Sequence, residues 1–448
     1  MAIKEFVKTL PLALGLLASP LWAAVSPEQA SALGDSLTPM GAERAGNASG
    51  EIPAWQGGLA KDAGRVDAGG FLSDPFAGEQ PLFVITAQNM QEYRDRLTPG
   101  QQAMFQRYPD SFRMPVYTTH RSANVPPHWL EATRSNATGV TLTTGGNGLE
   151  NYHMGVPFPL PQSGLEVIWN HLTHYAVGLR RTFVQAMPQQ NGAFNLVQFA
   201  DELLPFHEMD KPGNLLFMLK QRVVAPPRLA GNVLLIHETL NQVSEPRQVW
   251  QYNAGQRRVR RAPQVAYDGP GTASDGLRTA DNFDMFNGAP DRYDWQLQGK
   301  KEIYIPYNSY RLDSPELKYS DILQAGHINQ DYTRYELHRV WHVTATLKDG
   351  ARHIYAARDF YIDEDSWLIA TVDHYDGRDT LWRVGEGHAQ YYYHQQLPWF
   401  TAETLYDLLS GRYLALGLKN EESQAWDFDF TPTESGFSTT ALRQAGVR

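Results

Sequence analysis

The sequence predicts an α+β fold, in which a large curved antiparallel sheet follows a partly helical N-terminal region. Between residues 335 and 393, runs of alternating apolar and polar residues are separated by tight turns, as in an antiparallel meander. Residues 248–261 contain two further runs around a short glycine-containing loop, which predicts a β-hairpin. Upstream, Ser163 precedes an apolar stripe at helical spacing from Leu165 to Leu179, which predicts a capped amphipathic helix.

The first residues have the pattern of a secretory signal peptide. Lys4 and Lys8 are followed by an apolar run from Leu10 to Trp22, which is shorter than the roughly 20 residues of a membrane-spanning helix. We therefore expect residues 1–23 to be removed by cleavage after Ala23. The mature protein is then expected in the periplasm, free or in association with the outer membrane.

The predicted secondary structure of the mature chain changes near residue 215, from extended and helical segments to strands. We expect both parts to belong to one continuous globular unit. Residues 24–215 are predicted to form extended and helical segments that pack on a sheet, including a helical stretch at 81–113. Residues 216–448 are predicted to form the sheet, a C-terminal helix at 401–409 and a tail. Besides the hairpin, the predicted strands are 232–240, 300–307, 336–347, 352–362, 366–375 and 380–385.

Composition argues against several classes of function. The chain has 39 Lys and Arg against 49 Asp and Glu, a formal net charge of −10, so nucleic acid is not an expected partner. It contains no cysteine, which excludes disulfide bonds. No phosphate-binding glycine loop, dinucleotide fingerprint or nucleophile–base pair is recognisable in the sequence. We therefore predict neither a cofactor nor catalytic residues, and we do not expect an enzyme.

Alternation places the aromatic and aliphatic side chains of the predicted sheet on one face. The sequence is compatible with two arrangements of that face. Helices of the N-terminal region would cover it completely in an ordinary core, whereas incomplete coverage would leave a cavity for an apolar ligand, as in barrels that hold lipids. The candidate cavity-lining residues are Trp250, Tyr252, Trp341, Val343, Ile354, Phe360 and Leu368.

Four arginines lie within five residues of this acidic chain, at Arg257, Arg258, Arg260 and Arg261. Guanidinium groups bind phosphate and carboxylate groups through two parallel hydrogen bonds. The cluster is therefore a candidate docking site for lipid headgroups or for an acidic partner. Pairing with carboxylates of the protein itself is the alternative, and the sequence favours neither.

Two groups of residues with metal-ligand side chains are expected to have other roles. His171 and His174 are three positions apart on the predicted helix, but no third ligand is evident, so we expect hydrogen-bonded or solvent-facing histidines. Asp363, Glu364 and Asp365 lie at a turn without the spacing of a calcium loop, and we expect this turn to be solvated. The sequence therefore predicts no metal site.

The segment from Val249 to Pro263, VWQYNAGQRRVRRAP, resembles the signature hairpin of a bacterial family of unknown function. This family is often labelled outer-membrane lipoprotein-sorting protein. The similarity covers essentially the whole mature chain. The other matching stretches are residues 37–43, 52–55, 157–159, 166–170, 291–295, 305–308 and 360–367.

That family is thought to resemble the lipoprotein-localisation carriers LolA and LolB. The resemblance implies an unclosed antiparallel barrel, with helices over its concave face and an apolar interior that shelters acyl chains. It implies a periplasmic, non-enzymatic carrier or chaperone for a lipid, lipoprotein or other hydrophobic molecule in outer-membrane traffic. It also implies that the protein functions together with an outer-membrane protein and a transporter of the resistance-nodulation-division type. A structural adaptor that bridges envelope proteins and an envelope hydrolase are the alternatives.

Overall fold

The computed structural model describes residues 25–262 and 267–447. The predicted signal peptide and its cleavage site at Ala23 lie outside these residues. Within them, no helix combines the length and the apolar character that crossing a membrane requires.

Strands dominate the described residues, and the helices are short. The α-helices are α1 (Pro27–Ala30), α2 (Pro99–Arg107), α3 (Pro127–Gly139), α4 (Gly164–Leu172), α5 (Tyr319–Ile322) and α6 (Thr439–Val447). The strands are β1 (Phe83–Ile85), β2 (Met114–Val116), β3 (Thr141–Leu142), β4 (Leu149–Glu150), β5 (Leu179–Pro188), β6 (Phe194–Pro205), β7 (Leu215–Ala225), β8 (Val233–Thr239), β9 (Gln248–Asn253), β10 (Arg258–Arg261), β11 (Tyr293–Pro306), β12 (Tyr335–Leu347), β13 (Ala357–Asp363), β14 (Ile369–Tyr375), β15 (Leu381–Tyr392), β16 (Leu397–Asp407), β17 (Tyr413–Leu418) and β18 (Trp426–Asp427). Short 3-10 helices cover Met90–Arg96, Phe206–Glu208, Ala280–Asn282, Pro290–Arg292, Gln330–Tyr332, Tyr393–Gln395 and Glu434–Phe437.

Sixteen of the strands form one sheet, whereas β3 and β4 pair with each other. The order along the sheet is β1-β2-β12-β13-β14-β15-β16-β17-β5-β6-β7-β8-β9-β10, with β11 also paired to β12 and β18 to β5. Pairing is antiparallel apart from one parallel bridge between β2 and β12. The edge strands β10 and β11 do not pair with each other in the described part of the chain, so the sheet is an unclosed barrel. The predicted fold class is thereby confirmed.

One apolar cluster joins the two halves of the sheet. Leu203 and Leu219 from β6 and β7 belong to the same buried cluster as Val343 and Phe360 from β12 and β13. The sheet therefore curves around this cluster. We call the side of the sheet that carries these four residues the inner face, and the opposite side the outer face.

Helix α4 covers the inner face of β11 and β12 and lies very close to them. The predicted cap at Ser163 is present. A Cβ on Gly164 would lie only 2.8 Å from the carbonyl carbon of Gln296, so glycine is required where the helix approaches the strand. The helix ends at Leu172, earlier than predicted, because Leu179 begins β5 instead of continuing the helical stripe.

Several other predicted elements have different bounds or a different type. The helix predicted at 401–409 is wrong, because this stretch belongs to β16, which pairs with β15 and β17. The stretch 81–113 is only partly helical, since it contains β1 as well as α2. The strand predicted at 352–362 begins at Ala357. The sheet also includes β5 and β6, which precede residue 216.

Candidate functional site

An open groove of about 610 Å³ lies on the inner face of β7, β8 and β9. Part of its floor is apolar, because Leu234, Ile236 and Val249 project toward it, and the polar side chains of Gln221, Glu238 and Gln251 line the remainder of these strands. Ile236 lies directly opposite Val249 in the register of the two strands. Residues from 267 to 287, which we call the inner segment, provide the facing wall. This volume lies within the range of about 300–1,000 Å³ that is usual for small-molecule sites.

A smaller space of about 50 Å³, which we call the chamber, lies behind the groove against β5, β6 and β7. Apolar side chains such as Leu203, Leu219 and Trp399 line it. Phe217 and Phe283 line both the chamber and the groove, and their ring centroids are 6.4 Å apart. These two rings therefore form the boundary between the two spaces.

Buried charges hold the inner segment inside the barrel. Asp281 Oδ2 accepts a hydrogen bond from Arg358 Nη2 at 2.7 Å, and His353 Nε2 lies 3.3 Å from the same oxygen. Burial would raise the pKa of Asp281, but the charge of Arg358 together with the contacts from His353 and Thr279 outweighs burial and keeps that pKa below its usual range. Asp284 and Met285 both have positive φ values, 54° and 62°, which cost energy in residues with a Cβ. The segment is thus strained where it enters the barrel and is held by a buried ion pair nearby.

Two buried carboxylates beside the groove also bind this part of the chain. Glu403 Oε2 accepts a hydrogen bond from the N–H of Met285 at 2.9 Å, and burial raises the pKa of Glu403 to about 7. Glu238 Oε2 lies 2.6 Å from Arg247 Nε and accepts a hydrogen bond from Asn287 Nδ2 at 3.2 Å. Burial raises the pKa of Glu238, although the charge of Arg247 opposes the effect. Both carboxylates therefore position the wall of the groove.

Five of the predicted cavity residues lie in or beside a filled core on the other half of the sheet. Val343, Phe360 and Leu368 are at most 1% exposed. Trp341 is half-buried against the same cluster. Ile354 is 37% exposed in the connection between β12 and β13. In this half of the barrel the inner face is an ordinary core, whereas the groove at β7–β9 remains open.

The other two predicted cavity residues lie on the outer face of β9. Trp250 and Tyr252 belong to a separate apolar cluster that includes residues of α6. A Cβ on Gly446 of that helix would clash with the Tyr252 ring, so the helix packs directly against it. The groove is lined instead by their neighbours Val249 and Gln251. None of the seven predicted residues lines the groove, and a ligand contact by any of them stays a prediction.

The four arginines form an exposed arginine rim, which we define as Arg257, Arg258, Arg260 and Arg261. Three of them belong to the edge strand β10, and the fourth lies in the turn before it. Among residues 25–262 and 267–447, no carboxylate lies within 4.0 Å of their guanidinium groups. Arg261 borders the groove, and its guanidinium carbon lies 6.0 Å from the centroid of the Trp250 ring. Within those residues, the alternative that the cluster pairs with the protein's own carboxylates is not observed.

A buried ion-pair network lies at the turn after β13. Asp363, Glu364 and Asp365 are buried, which corrects the prediction that this turn is solvated. His338, Asp363 and Asp365 lie close enough together to hold a metal ion. However, Arg121 donates to both carboxylate oxygens of Asp365, at 2.7 and 2.8 Å, so these oxygens already have a cationic partner. The same guanidinium donates to a backbone carbonyl of the N-terminal region. The network therefore fastens the N-terminal region to the sheet.

The histidines at the end of α4 make hydrogen-bonding contacts. His171 is buried, and its Nε2 lies 2.9 Å from the carbonyl oxygen of Asp284 in the inner segment. Burial lowers the pKa of His171 to about 4, so the ring is neutral at physiological pH. His174 Nδ1 lies 2.7 Å from the carbonyl oxygen of His171. In the described residues these two rings belong to no cluster of three metal-ligand side chains.

Comparison with known proteins places the chain among uncharacterised relatives. A family model described as protein of unknown function (DUF1329) matches residues 84–443, in agreement with the resemblance of the 249–263 hairpin. The uncharacterized protein PA3922 of Pseudomonas aeruginosa is 66% identical over 451 residues, which cover 99% of both chains.

Solved structures are similar at much lower identity. A Vibrio parahaemolyticus domain assigned provisionally to outer-membrane lipoprotein sorting has a TM-score of 0.42 and 12% identity, over 60% of this chain and 92% of its own. A DUF1329 family protein from Desulfovibrio piger has a TM-score of 0.40 and 15% identity, over 59% and 92%. The LolA superfamily protein NE2245 from Nitrosomonas europaea has a TM-score of 0.38 and 9% identity, over 63% and 100%.

Proposed function

The chain belongs to the DUF1329 family of proteins of unknown function, and we propose that it is a non-enzymatic carrier or chaperone for a hydrophobic molecule. A lipid, or the acyl chains of a lipoprotein in traffic to the outer membrane, is the cargo we favour. The observation that carries the proposal is the groove, because the unclosed barrel leaves about 610 Å³ with an apolar floor open on its inner face.

Burial of an alkyl chain in this groove would supply the free energy of binding. Leu234, Ile236 and Val249 are only partly buried, so a ligand would remove their remaining apolar surface from water. Removal of roughly 300 Å² of apolar surface at about 25 cal/mol per Å² contributes on the order of 7 kcal/mol before ordering costs. This term requires no recognition of specific polar groups along the chain of the ligand.

The arginine rim supports a membrane or partner contact beside the entrance to the groove. Exposed guanidinium groups suit the phosphates of lipid headgroups or the carboxylates of an acidic protein surface. We propose that the protein works in the periplasm after removal of its signal peptide. An outer-membrane protein and a transporter of the resistance-nodulation-division type are the partners we propose.

Native mass spectrometry of the mature protein, purified from the periplasm of its own cell, tests the proposal directly. We expect a stoichiometric hydrophobic molecule to accompany the protein and to be recovered by organic extraction. A protein mass without any ligand, together with no uptake of a fluorescent fatty acid, would refute the carrier function.

A groove variant connects such a ligand to the site. Ile236→Asp places a charge on the apolar floor and is expected to reduce bound lipid and fatty-acid affinity at least about tenfold. Leu409→Asp is the matched control, since Leu409 is 56% exposed and does not line the groove. Equal ligand content in the two variants would place the binding site elsewhere.

The filled core under α4 favours a second candidate, a structural adaptor that bridges envelope proteins. This function needs a rigid sheet and an exposed docking edge but no ligand. It predicts that the protein without ligand cross-links to a partner through the arginine rim. Recovery of a stoichiometric lipid that Ile236→Asp removes would argue for the carrier instead.

A further inference from the structure

Arg278 is the feature of the groove that apolar binding alone does not explain. The residue is only 7% exposed, and it lines the groove. Its Nε is buried without any hydrogen-bond partner. Among residues 25–262 and 267–447, no carboxylate lies within 4.0 Å of its guanidinium group, and no side-chain hydrogen bond from it is formed.

A neighbouring, partly buried arginine of the same groove has an acidic partner. Arg247 Nε lies 2.6 Å from Glu238, and Arg247 Nη2 donates to the carbonyl oxygen of Asn287 at 2.8 Å. Burial of a charge without such partners is costly, and proteins usually avoid it. Arg278 therefore differs from Arg247 in having no carboxylate partner among the described residues.

The nearest carboxylates of the barrel have other partners. Asp201 pairs with Arg181 at 3.3 Å, and Glu403 accepts a hydrogen bond from the backbone of the inner segment. Both attract Arg278 at longer range, but burial still lowers the pKa of Arg278 below its usual value. A guanidinium remains charged at physiological pH even so.

The backbone around Arg278 is shaped to hold the side chain in place. The carbonyl oxygen of Arg278 accepts hydrogen bonds from the N–H of Gly271 at 2.9 Å and from Ser274 Oγ at 3.2 Å. A Cβ on Gly271 would lie 2.8 Å from Arg278 Cζ, so the loop packs directly on the guanidinium. The charge is thus fixed at the wall of the groove, across from the apolar floor.

We propose that Arg278 binds the acidic headgroup of an anionic amphiphile, a carboxylate or phosphate whose alkyl chain lies along Leu234 and Ile236. The guanidinium would form charge-assisted hydrogen bonds with the headgroup and would gain the partner that the protein does not provide. This inference rests on the proposed function and narrows it, because it predicts that neutral hydrophobic molecules bind much more weakly than anionic ones.

Pairs of ligands that differ only in charge test the inference on the wild-type protein. Displacement of a fluorescent fatty acid would be measured with hexadecanoic acid and hexadecan-1-ol, and then with hexadecyl phosphate and inorganic phosphate. We expect the acid to bind about 10- to 100-fold more tightly than the alcohol, the usual contribution of a charged hydrogen bond. Inorganic phosphate alone should compete poorly. Competition by phosphate as strong as by hexadecyl phosphate would overturn the amphiphile and indicate a simple anion site.

Arg278→Met links the preference to this side chain. The variant should bind acid and alcohol equally, with an unchanged affinity for the alcohol. Without ligand it should be at least as stable as the wild type, since removal of an unpaired buried charge is not destabilising. Arg352→Met, which makes the same change at an exposed arginine, should keep the wild-type preference.

The outcomes separate this inference from the carrier function itself. If the wild type binds acid and alcohol equally, or if Arg278→Met keeps the preference for the acid, the assignment of Arg278 is overturned while the carrier function stands. A clear loss of stability in Arg278→Met would also overturn it, since it would show a structural role. If the wild type binds neither compound, the carrier function fails first.

Discussion

The boundary between the groove and the chamber offers the most direct test of what limits the length of the alkyl chain that the protein can bind. Phe283 and Phe217 separate the two spaces, and Phe283 is only partly buried. Phe283→Ala removes one of the two rings and should join the chamber to the groove. Full burial of a phenylalanine would make this change cost about 3–5 kcal/mol, so we expect a loss of about 2 kcal/mol from a half-buried one.

The gain for a ligand follows from the volume of the chamber. Its space of about 50 Å³ corresponds to roughly two methylene groups, if each takes about the 30 Å³ that a water molecule takes in the liquid. Burial of two more methylene groups contributes about 1.6 kcal/mol, or a little over tenfold in affinity. Fatty acids two carbons longer than the wild-type optimum should therefore bind the variant about tenfold more tightly.

Competition between a fluorescent fatty acid and saturated acids of increasing length measures this shift. In the wild type, the affinity should stop rising at the chain length that fills the groove. In Phe283→Ala the plateau should begin about two carbons later. Phe194→Ala is the control, because Phe194 is also partly buried but lies outside both spaces. The same plateau in Phe283→Ala and the wild type, with both folded and both binding, would refute the boundary.

Three further predictions concern charge. Burial raises the pKa of the Asp373 carboxyl to about 8. Between about pH 4 and pH 8 this carboxyl is therefore protonated in the native state and ionised in the unfolded state. The free energy of unfolding of the wild type should consequently fall as the pH rises from about 4 to 8. Asp373→Asn should make the free energy of unfolding less dependent on pH and should stabilise the protein at pH 8 by at most about 5 kcal/mol. Urea unfolding at several pH values between about 4 and 8 measures this effect. Plots of unfolding free energy against pH that run parallel for the variant and the wild type would contradict the prediction. Arg121→Met leaves the buried Asp365 without its partner and should lower the free energy of unfolding by about 3–5 kcal/mol, whereas Arg378→Met, at an exposed pair, should change it by less than about 1 kcal/mol. Replacement of all four arginines of the arginine rim by glutamine should leave stability unchanged and should weaken binding to vesicles with anionic lipids at least about tenfold at low salt, without effect on neutral vesicles. Equal binding to anionic vesicles would exclude a headgroup role for the rim.

The strand predictions agreed best with the structure in the hairpin and in two further strands. The hairpin at 248–261 and the strands at 232–240 and 336–347 lie close to β8, β9, β10 and β12 as observed. The prediction failed at 401–409, because β16 is buried along its whole length and its residues do not alternate. The stripe after Ser163 extended too far for a related reason, since Leu179 fits both a helical stripe and the start of a buried strand.

The sequence left open whether the inner face holds a cavity, and none of the residues it named lines the groove. Alternation shows that Trp250 and Val249 lie on opposite faces of β9, but it does not show which face α6 will cover. On sequence grounds Trp250 is assigned to the cavity because it is large and aromatic, but Trp250 packs beneath a helix that begins almost 190 residues later. The sequence left open whether the four arginines pair with carboxylates of the protein, and in the structure they are exposed and have no such partner among the described residues.

The sequence by itself determined the signal-peptide pattern, the family resemblance and the antiparallel sheet. Each of these features depends on the local sequence pattern or on composition, and both can be interpreted without knowing which distant residues are in contact. Only the tertiary structure decided that one half of the inner face is filled and the other half is open. It also placed Arg278 at the wall of the groove without a carboxylate partner among the described residues. These features depend on which distant segments meet across the barrel, and neither periodicity nor composition encodes those contacts.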